Sequence, residues 1–379
     1  MASIQETEGK ERIEPGDGVK AACYFPENHI DNEAFADQFN QLEVKTAKGG
    51  PVTAEGIYKA TGIKLRHFVH PLDEIPTVEE SNVTRIERLA LMAERPAREV
   101  LSQNKWGQID LLIFSTSTPH ARKSPSRFVK NRLPEWSIYR YGDVIAECAS
   151  FIFALEYLKE NEVAFNGKRV LFTAAEYISP YGNPTNLDRT LLCDGAAALA
   201  FVPGEDLEIM SVKTRIFPEL SGLIKGPIQR ELCDESTLLK FVGVAPSDDP
   251  QRHATMDGPA VFEWAMDKNT LPPLINSVAE EIGETPKLII PHQANGRITQ
   301  ALKFFVLPKV GMKDIFVYNN IENIGNCGSV TIPNAFGETI SRGWEENGQQ
   351  QRLQKGDVVL LVGFGAGMSA AVAGVRVLK

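Results

Sequence analysis

Cys148 lies where an apolar strand pattern changes into an apolar helical pattern. The residues before it are apolar from Val144 onwards, apart from Glu147, and Phe151, Leu155 and Leu158 after it have helical spacing. At such a junction a cysteine meets unpaired backbone N–H groups and the positive end of a helix dipole. Both favour the thiolate, which is a nucleophile. The competing interpretation is a packed structural cysteine, because free cysteines are often buried.

Three later segments place polar residues or glycines after predicted strands. His292 lies in Pro-His-Gln-Ala-Asn, directly after apolar residues 288–290, where it can act as acid, base or hydrogen-bond donor. Asn326 lies in the glycine-containing loop 323–329, ahead of a helical pattern. The third segment, Gly-Phe-Gly-Ala-Gly at residues 363–367, can present backbone N–H groups. Taken singly, each also fits a structural role as a strand end or a glycine turn.

Together with other short motifs, these segments resemble the thiolase superfamily and, most closely, β-ketoacyl-ACP synthase III. The resemblance extends over nearly the whole chain from about Val19. The further matching motifs, in chain order, are Thr61-Gly62-Ile63 with Arg66-His67, Cys148-Ala149 with Phe151, Cys193-Asp194-Gly195-Ala196, and Met256-Asp257-Gly258 with Val261-Phe262. Each motif is short, but their order along one chain is specific. The resemblance implies an α/β chain with a thiolase-like five-layered αβαβα fold of two similar halves, and a homodimer.

The resemblance also implies separate roles for three side chains. Cys148 would accept an acyl group from a thioester and form a covalent acyl-enzyme. His292 and Asn326 would hold the thioester oxygen of the second substrate, stabilising an enolate that forms as a carboxylate leaves or a proton is removed. The enolate carbon would then attack the acyl group, and the backbone N–H groups of Cys148 and Ala366 would stabilise the resulting oxyanion.

Two acidic residues are candidates for an extra acid or base. Glu147 directly precedes Cys148, where the family has a small or polar residue, and Glu176 follows the predicted strand 169–175. A buried salt bridge is the alternative role for either. A relative that joins two acyl chains without decarboxylation takes a glutamate from its partner subunit, on the segment before the cysteine. Residues 111–132 contain no acidic residue here, which disfavours that activity.

Four positions bear on the thioester carrier. The Trp and Arg with which the family holds the CoA adenine are replaced here by Gly56 and Ala60, which favours a carrier-protein donor. Arg297 matches a basic position at which the family docks carrier proteins, and Lys303 adds a second positive charge. Ordinary solvated surface charge is the alternative interpretation of both.

The elements that must position these residues alternate between strand and helix patterns, which indicates an α/β layered fold. We expect a flexible tail at residues 1–18, an N-terminal half with the nucleophile at 19–204, and a C-terminal half with the histidine and asparagine at 205–379.

Several local features are also predicted. Ser81 is expected to cap a helix over residues 82–103. Residues 205–257 are expected to be less regular, and residues 258–282 to be helical. The resemblance implies that the homodimer pairs through a strand around residues 171–175, with the basic segment 116–125 (His120, Arg122 and Lys123) near the neighbouring site.

Composition limits the class of protein. The chain has 379 residues, 43% hydrophobic residues and a formal net charge of −9, which argues against binding to nucleic acid or to a membrane through basic residues. Its five cysteines are odd in number and lack metal-ligand spacing, so we expect free thiols, a reducing compartment and no metal. The polar N-terminus and the lack of a long apolar run predict a cytoplasmic protein without a membrane span.

These observations predict a synthase III-like acyltransferase that makes a carbon–carbon bond, in specialised biosynthesis rather than primary fatty-acid initiation. Its substrates would be thioesters on CoA or on carrier-protein phosphopantetheine, with no other cofactor. One alternative is acyl transfer to an oxygen or nitrogen acceptor on the same fold. Another is a catalytically silent partner subunit, which the intact Cys148, His292 and Asn326 disfavour.

Overall fold

The computed structural model describes residues 18–118, 124–226 and 237–379. The predicted tail therefore lies outside the described residues except for Gly18, as do His120, Arg122 and Lys123 of the basic segment. Among the helices in the described ranges, none is both long and apolar enough to cross a membrane.

The chain alternates strands and helices from Lys20 to Val377. The strands are β1 Lys20–Tyr24, β2 Asn28–Asp31, β3 Leu65–Phe68, β4 Gln108–Ser115, β5 Ser137–Ile145, β6 Val170–Glu176, β7 Gly195–Phe201, β8 Leu207–Ile216, β9 Ile224–Gly226, β10 Leu238–Phe241, β11 Ala245–Pro246, β12 Thr255–Met256, β13 Leu288–Pro291, β14 Phe316–Val317, β15 Trp344–Glu346, β16 Gln349–Gln351, β17 Val358–Gly365 and β18 Ser369–Val377. The α-helices are α1 Asn32–Gln41, α2 Ala54–Thr61, α3 Val78–Asn104, α4 Pro125–Asn131, α5 Ser150–Glu160, α6 Glu162–Phe165, α7 Gly258–Met266, α8 Leu271–Ile282, α9 Gly296–Ala301 and α10 Thr331–Ser341.

The first large sheet has six strands in the order β1-β7-β6-β4-β5-β10. Its central strands β4, β5 and β6 run parallel, while β7 and β1 are antiparallel to their neighbours. Every residue of β6 and β7 is buried. Strands buried on both faces are expected to be nearly continuous apolar runs, and this is how both segments read in the sequence.

The second large sheet has five strands in the order β14-β13-β17-β18-β8. Strand β13 pairs in parallel with β14 and β17, and β18 pairs antiparallel with β17 and β8. The carboxyl ends of parallel strands lie at one edge of their sheet. The residues that follow β5 in the first sheet and β13 in the second therefore lie at such an edge.

Two helices form a layer between the sheets. Phe151 of α5 and Phe336 of α10 belong to one buried cluster with Phe172 of the first sheet and Leu361 of the second. Helix α3 covers the outer face of the first sheet, and α8 covers that of the second. The five-layered αβαβα arrangement predicted from the sequence is confirmed.

Four local predictions were wrong. Helix α3 begins at Val78 and is capped by Thr77, not Ser81, because Thr77 and Glu80 form a reciprocal capping box. The stretch predicted to be less regular contains the ten-residue strand β8, which the prediction missed because partial burial obscured its apolar pattern.

The single helix predicted over residues 258–282 is two helices, α7 and α8. Pro272 lies in the first turn of α8, where its missing N–H costs no helical hydrogen bond, so the helix restarts there.

The predicted dimer strand is also wrong. β6 has hydrogen-bonded neighbours on both sides within the chain, namely β4 and β7, so it cannot offer a free edge. The predicted boundary between the two halves near residue 204 stays a prediction. After β7 the chain enters the second sheet with β8, but β10 later returns to the first sheet, where it pairs with β5.

Candidate active site

Cys148 lies in a single 3₁₀ turn, Glu147–Ala149, between β5 and α5. Glu147 adopts a left-handed backbone conformation with φ of 52°, which is uncommon for a residue other than glycine. Ser150 holds the turn: its Oγ accepts the N–H of Ala146 at 2.9 Å and donates to the carbonyl of Glu147 at 2.7 Å. The turn thus places Cys148 two residues before Ser150, the first residue of a buried helix.

The glycine-rich segment after β17 packs against this turn. A Cβ atom on Gly365 would lie 2.9 Å from the Cβ and 3.2 Å from the Sγ of Cys148. Real Cβ atoms are not found that close to other atoms, so glycine is needed at this position for close approach. Ala366 follows and lines the same cavity as Cys148. The oxyanion role of its N–H stays a prediction.

The electrostatic surroundings of Cys148 differ from those predicted. Burial raises the pKa of the Cys148 thiol, and the negative charges of Glu147 and then Glu176 raise it further, while a hydrogen bond with Ser117 opposes them. The helix dipole argument predicted a lowered pKa. That argument considered the backbone alone and left out the burial of the sulfur and the charges of the nearby carboxylates.

His292 follows β13 and is held on three sides. Its backbone N–H donates to the carbonyl of Val362 at 2.7 Å, and its Nδ1 lies 2.7 Å from Oγ1 of Thr331. Its ring meets that of Phe364 edge to face, with centroids 5.4 Å apart. Burial lowers the pKa of His292 to about 3, so the imidazole is neutral at physiological pH.

Asn326 joins the two halves of the molecule. Its backbone N–H donates to the carbonyl of Leu191 at 2.8 Å, and its carbonyl accepts the N–H of Cys193 at 2.9 Å. Its side-chain Oδ1 accepts the N–H of Gly328 at 3.0 Å. Because this bond occupies the oxygen, the amide N–H groups are the part of the side chain left for a ligand.

One cavity of about 750 Å³ brings the predicted residues together. Cys148, His292 and Asn326 all line it, although they come from segments far apart in the chain. The other predicted site residues in its lining are Glu147, Arg297 and Ala366. In the parts of the chain that the structure describes, no group of three or more His, Cys, Asp or Glu residues is arranged to hold a metal ion.

Glu176 is fully buried and is held by five hydrogen bonds. Its carboxylate accepts the N–H of Ser117 at 2.7 Å, and the N–H and Oγ–H of Ser329 at 2.8 and 2.6 Å. The hydroxyls of Thr116 and Thr118 donate to its other oxygen at 3.2 and 2.8 Å. These contacts join the segment after β4 to the loop that carries Asn326. A role of Glu176 as acid or base stays a prediction.

Gly328 shows how closely that loop approaches the carboxylate. A Cβ atom on this glycine would lie 2.7 Å from Oε1 of Glu176, and its φ is 47°. Both the close approach and the left-handed backbone require glycine here.

The two predicted docking residues lie apart from the nucleophile. Arg297 is exposed at the edge of the cavity lining. Lys303 lies in a π-helical turn, Leu302–Val306, with its Nζ 5.7 Å from the ring centroid of Phe304. Phe304 and Phe305 beside it are 62% and 64% exposed, so the basic residues adjoin an apolar surface.

Thr331 is the site residue that the sequence analysis missed. It contacts His292 across 39 positions of the chain and reads in the sequence as an ordinary residue at the start of a helix. Its position one helical turn after the Asn326 loop was the available signal, but nothing local connected it to a histidine.

Comparisons with known proteins bear on the family and the fold of the chain. The model of the 3-oxoacyl-(acyl-carrier-protein) synthase III C-terminal family matches residues 283–377. A beta-ketoacyl-(acyl-carrier-protein) synthase III from Aquifex aeolicus is 26% identical, over 85% of this chain and 97% of the relative.

Two solved structures show the same fold. The crystal structure of the 3-oxoacyl-(acyl-carrier-protein) synthase III from Aquifex aeolicus has a TM-score of 0.71 and 23% identity, covering 95% of this chain and 99% of that one. The priming β-ketosynthase of the R1128 polyketide biosynthetic pathway has a TM-score of 0.69 and 22% identity, covering 98% of each chain.

Proposed function

Because the chain is a β-ketoacyl-(acyl-carrier-protein) synthase III-like protein of the thiolase superfamily, we propose that it is a condensing enzyme that forms a carbon–carbon bond through an acyl-Cys148 intermediate. The observation that carries the proposal is the convergence of Cys148, His292 and Asn326 on one cavity. A nucleophile and two neutral hydrogen-bond donors suit a reaction in which negative charge develops on an oxygen.

In the first half-reaction, the Cys148 sulfur attacks the carbonyl of an acyl thioester. The carbon–sulfur bond of the donor breaks, its thiolate leaves and takes up the proton, and the acyl group stays on Cys148. The N–H groups of Cys148 and Ala366 stabilise the oxyanion of this step. Since the pKa of the thiol is raised, deprotonation has to accompany donor binding rather than precede it.

In the second half-reaction, a malonyl-type thioester loses carbon dioxide and becomes an enolate. Its oxygen receives hydrogen bonds from His292 and Asn326. The enolate carbon attacks the acyl carbonyl, the bond to the Cys148 sulfur breaks, and a β-ketoacyl thioester leaves. The thioesters supply all the reacting groups, so the proposal requires no other cofactor.

The donor is proposed to be a carrier protein, with CoA as the alternative. Ala60, which stands in for an adenine-binding residue of the family, lines the cavity and offers no ring or charge to hold an adenine. Arg297 and Lys303, beside the exposed Phe304 and Phe305, suit an acidic partner with an apolar contact surface. These departures also support a role in specialised biosynthesis, as in the polyketide relative.

The acyl group is proposed to be apolar. The lining of the cavity away from the three polar side chains contains polar and charged residues and also an apolar set, which includes Ile178, Leu192, Val244, Met256 and Phe262. An apolar chain in such a cavity gains the free energy of leaving water.

We also propose a homodimer in the cytoplasm. The described part of β5 before Asp143 pairs with β4 alone, and Tyr139 on it is 65% exposed, so this edge replaces β6 as the expected pairing strand. The odd number of cysteines favours the reducing compartment. Light scattering that shows a monomer at micromolar concentration would contradict the dimer.

The proposed function is tested with intact-protein mass and product analysis. Incubation with an acyl carrier protein or acyl-CoA should add one acyl group, and a malonyl thioester should then release carbon dioxide and remove that group as a β-ketoacyl product. Acyl transfer to an added alcohol or amine, without carbon dioxide release, would support the acyltransferase alternative. Absence of any adduct with a range of acyl thioesters would overturn the enzyme assignment in favour of a silent subunit.

A further inference from the structure

The hydroxyl of Thr331 contacts His292 at Nδ1, which leaves Nε2 as the ring nitrogen available to a substrate. Its Oγ1 lies 2.7 Å from Nδ1 of His292 and 3.0 Å from the carbonyl oxygen of Gly328. Thr331 is 3% exposed and His292 is 2% exposed, so water does not compete for these contacts. The hydroxyl has one proton and two nearby acceptors, namely Nδ1 of His292 and the carbonyl oxygen of Gly328. The acceptor that receives this proton determines which ring nitrogen of His292 is protonated.

The two arrangements give His292 opposite properties. If the hydroxyl donates to Gly328, Nδ1 of His292 must carry the proton, and Nε2 presents a lone pair that can act as a base. If the hydroxyl donates to Nδ1, the ring proton lies on Nε2, which becomes a hydrogen-bond donor. A neutral imidazole has only one of these tautomers at a time.

The surrounding hydrogen bonds favour the second arrangement. The carbonyl of Gly328 already accepts the backbone N–H of Thr331, so it has a partner without the hydroxyl. Among the described residues, Thr331 is the group in hydrogen-bond contact with Nδ1 of His292. The 2.7 Å contact to the ring is also shorter than the 3.0 Å contact to the carbonyl.

We infer that the Thr331 hydroxyl donates to Nδ1 of His292, keeps the proton on Nε2, and thereby makes His292 a hydrogen-bond donor to the substrate oxygen. Thr331 is a positioning residue, because it acts through His292 and is not itself among the residues that line the cavity. The inference deepens the proposed function and rests on it, since a donor at Nε2 suits the enolate of a condensation. A base at Nε2 would suit acyl transfer to a hydroxyl or amine instead.

The test compares Thr331→Val with Thr331→Ser in the full-length protein. Nitrogen NMR of protein with isotope-labelled histidine reports which ring nitrogen carries the proton, and His292→Gln identifies the His292 signals. We expect wild type and Thr331→Ser to carry the proton on Nε2, and Thr331→Val to lose this preference. In Thr331→Val, carbon dioxide release from a malonyl thioester should fall roughly 10- to 100-fold, less than on loss of the donor itself, with Cys148 acylation nearly unchanged.

A proton on Nδ1 in wild type would overturn the inference, and so would an unchanged tautomer in a folded Thr331→Val variant. If Thr331→Val does not fold, the wild-type and Thr331→Ser tautomers still decide the question. Failure of the proposed function looks different: no acyl-enzyme or no carbon dioxide would be found in wild type, whatever the tautomer. Condensation by a wild-type protein with the proton on Nδ1 would defeat this inference alone.

Discussion

The two walls of the cavity hold their reactive groups in different ways. On the first, the backbone positions Cys148: Glu147 adopts a left-handed conformation, and Gly365 packs against the sulfur. On the second, side-chain hydrogen bonds orient His292 and Asn326 from behind, through Thr331 and Gly328.

The charges of the two walls differ as well. Burial raises the pKa of the Cys148 thiol, and the negative charges of Glu147 and Glu176 raise it further. His292 is neutral because burial lowers its pKa to about 3. Acylation of Cys148 should therefore depend on backbone shape and local charge at the first wall. Condensation should depend on the orientation of the hydrogen-bond donors His292 and Asn326 at the second.

The largest expected effect comes from removing the nucleophile. Cys148→Ala should abolish acyl-enzyme formation, because no other thiol takes its place at the helix start. Intact-protein mass after incubation with an acyl thioester measures this. The matched control is Cys23→Ala, which removes an exposed thiol and should leave the adduct in place. An adduct that persists on Cys148→Ala, for example at Cys327 beside Asn326, would contradict the assignment.

Removing either donor of the second wall should separate the two half-reactions. His292→Ala and Asn326→Ala should lower carbon dioxide release from a malonyl thioester by roughly 10²- to 10³-fold, as for loss of one oxyanion donor. Acylation of Cys148 should change little, since the backbone N–H groups serve that step. Adduct formation and carbon dioxide release are followed separately. Should His292→Ala stop acylation while decarboxylation continues, His292 is the base for Cys148 and the walls are not independent.

Adding one methyl group to the first wall should impair loading. In Gly365→Ala the new Cβ would lie 3.2 Å from the sulfur of Cys148, so the nucleophile must shift. Misplacement of about 1 Å can cost roughly 10²-fold in rate, and we expect a loss of this order in acylation. Gly107→Ala, where a Cβ meets nothing within 4 Å, is the control. Acylation at the wild-type rate by Gly365→Ala would show that the packing is not required.

The smallest effect concerns charge at the first wall. Glu147→Gln removes a negative charge that raises the pKa of Cys148, so the thiol pKa should fall and the thiolate fraction at a fixed pH near 8 should rise. The rate of alkylation by iodoacetamide should increase by about threefold to tenfold, and its pH profile should move to lower pH. Glu280→Gln, on the exposed side of α8, is the control. A slower condensation with faster alkylation would mean that Glu147 also acts as a base.

Much of the fold was predictable because strands buried on both faces are continuous apolar runs. β6 and β13 were each predicted within a few residues for this reason. Strand β8 was missed, because seven of its ten residues are at least partly exposed and break the apolar run. The break between α7 and α8 was missed because apolar residues continue across it, although Pro272 and Pro273 marked it.

The sequence by itself determined which residue types stand at the ends of strands, their order along the chain, and the layered α/β class. Local patterns and short motifs contain that information, since a strand, a turn or a helix start depends on neighbouring residues. The convergence of Cys148, His292 and Asn326 on one cavity followed only from resemblance, and their role in catalysis stays a prediction.

Only the tertiary structure decided the chemical state of the site. The pKa of Cys148 depends first on the burial of its sulfur, then on Glu147 beside it and on Glu176, which also contacts Ser329, 153 positions away. The partner of His292 is Thr331, on a helix that no local pattern connects to the histidine. The protonation and orientation of a side chain depend on which groups lie within a few ångströms of it. Contacts between residues far apart in the chain cannot be inferred from any one local segment of the sequence.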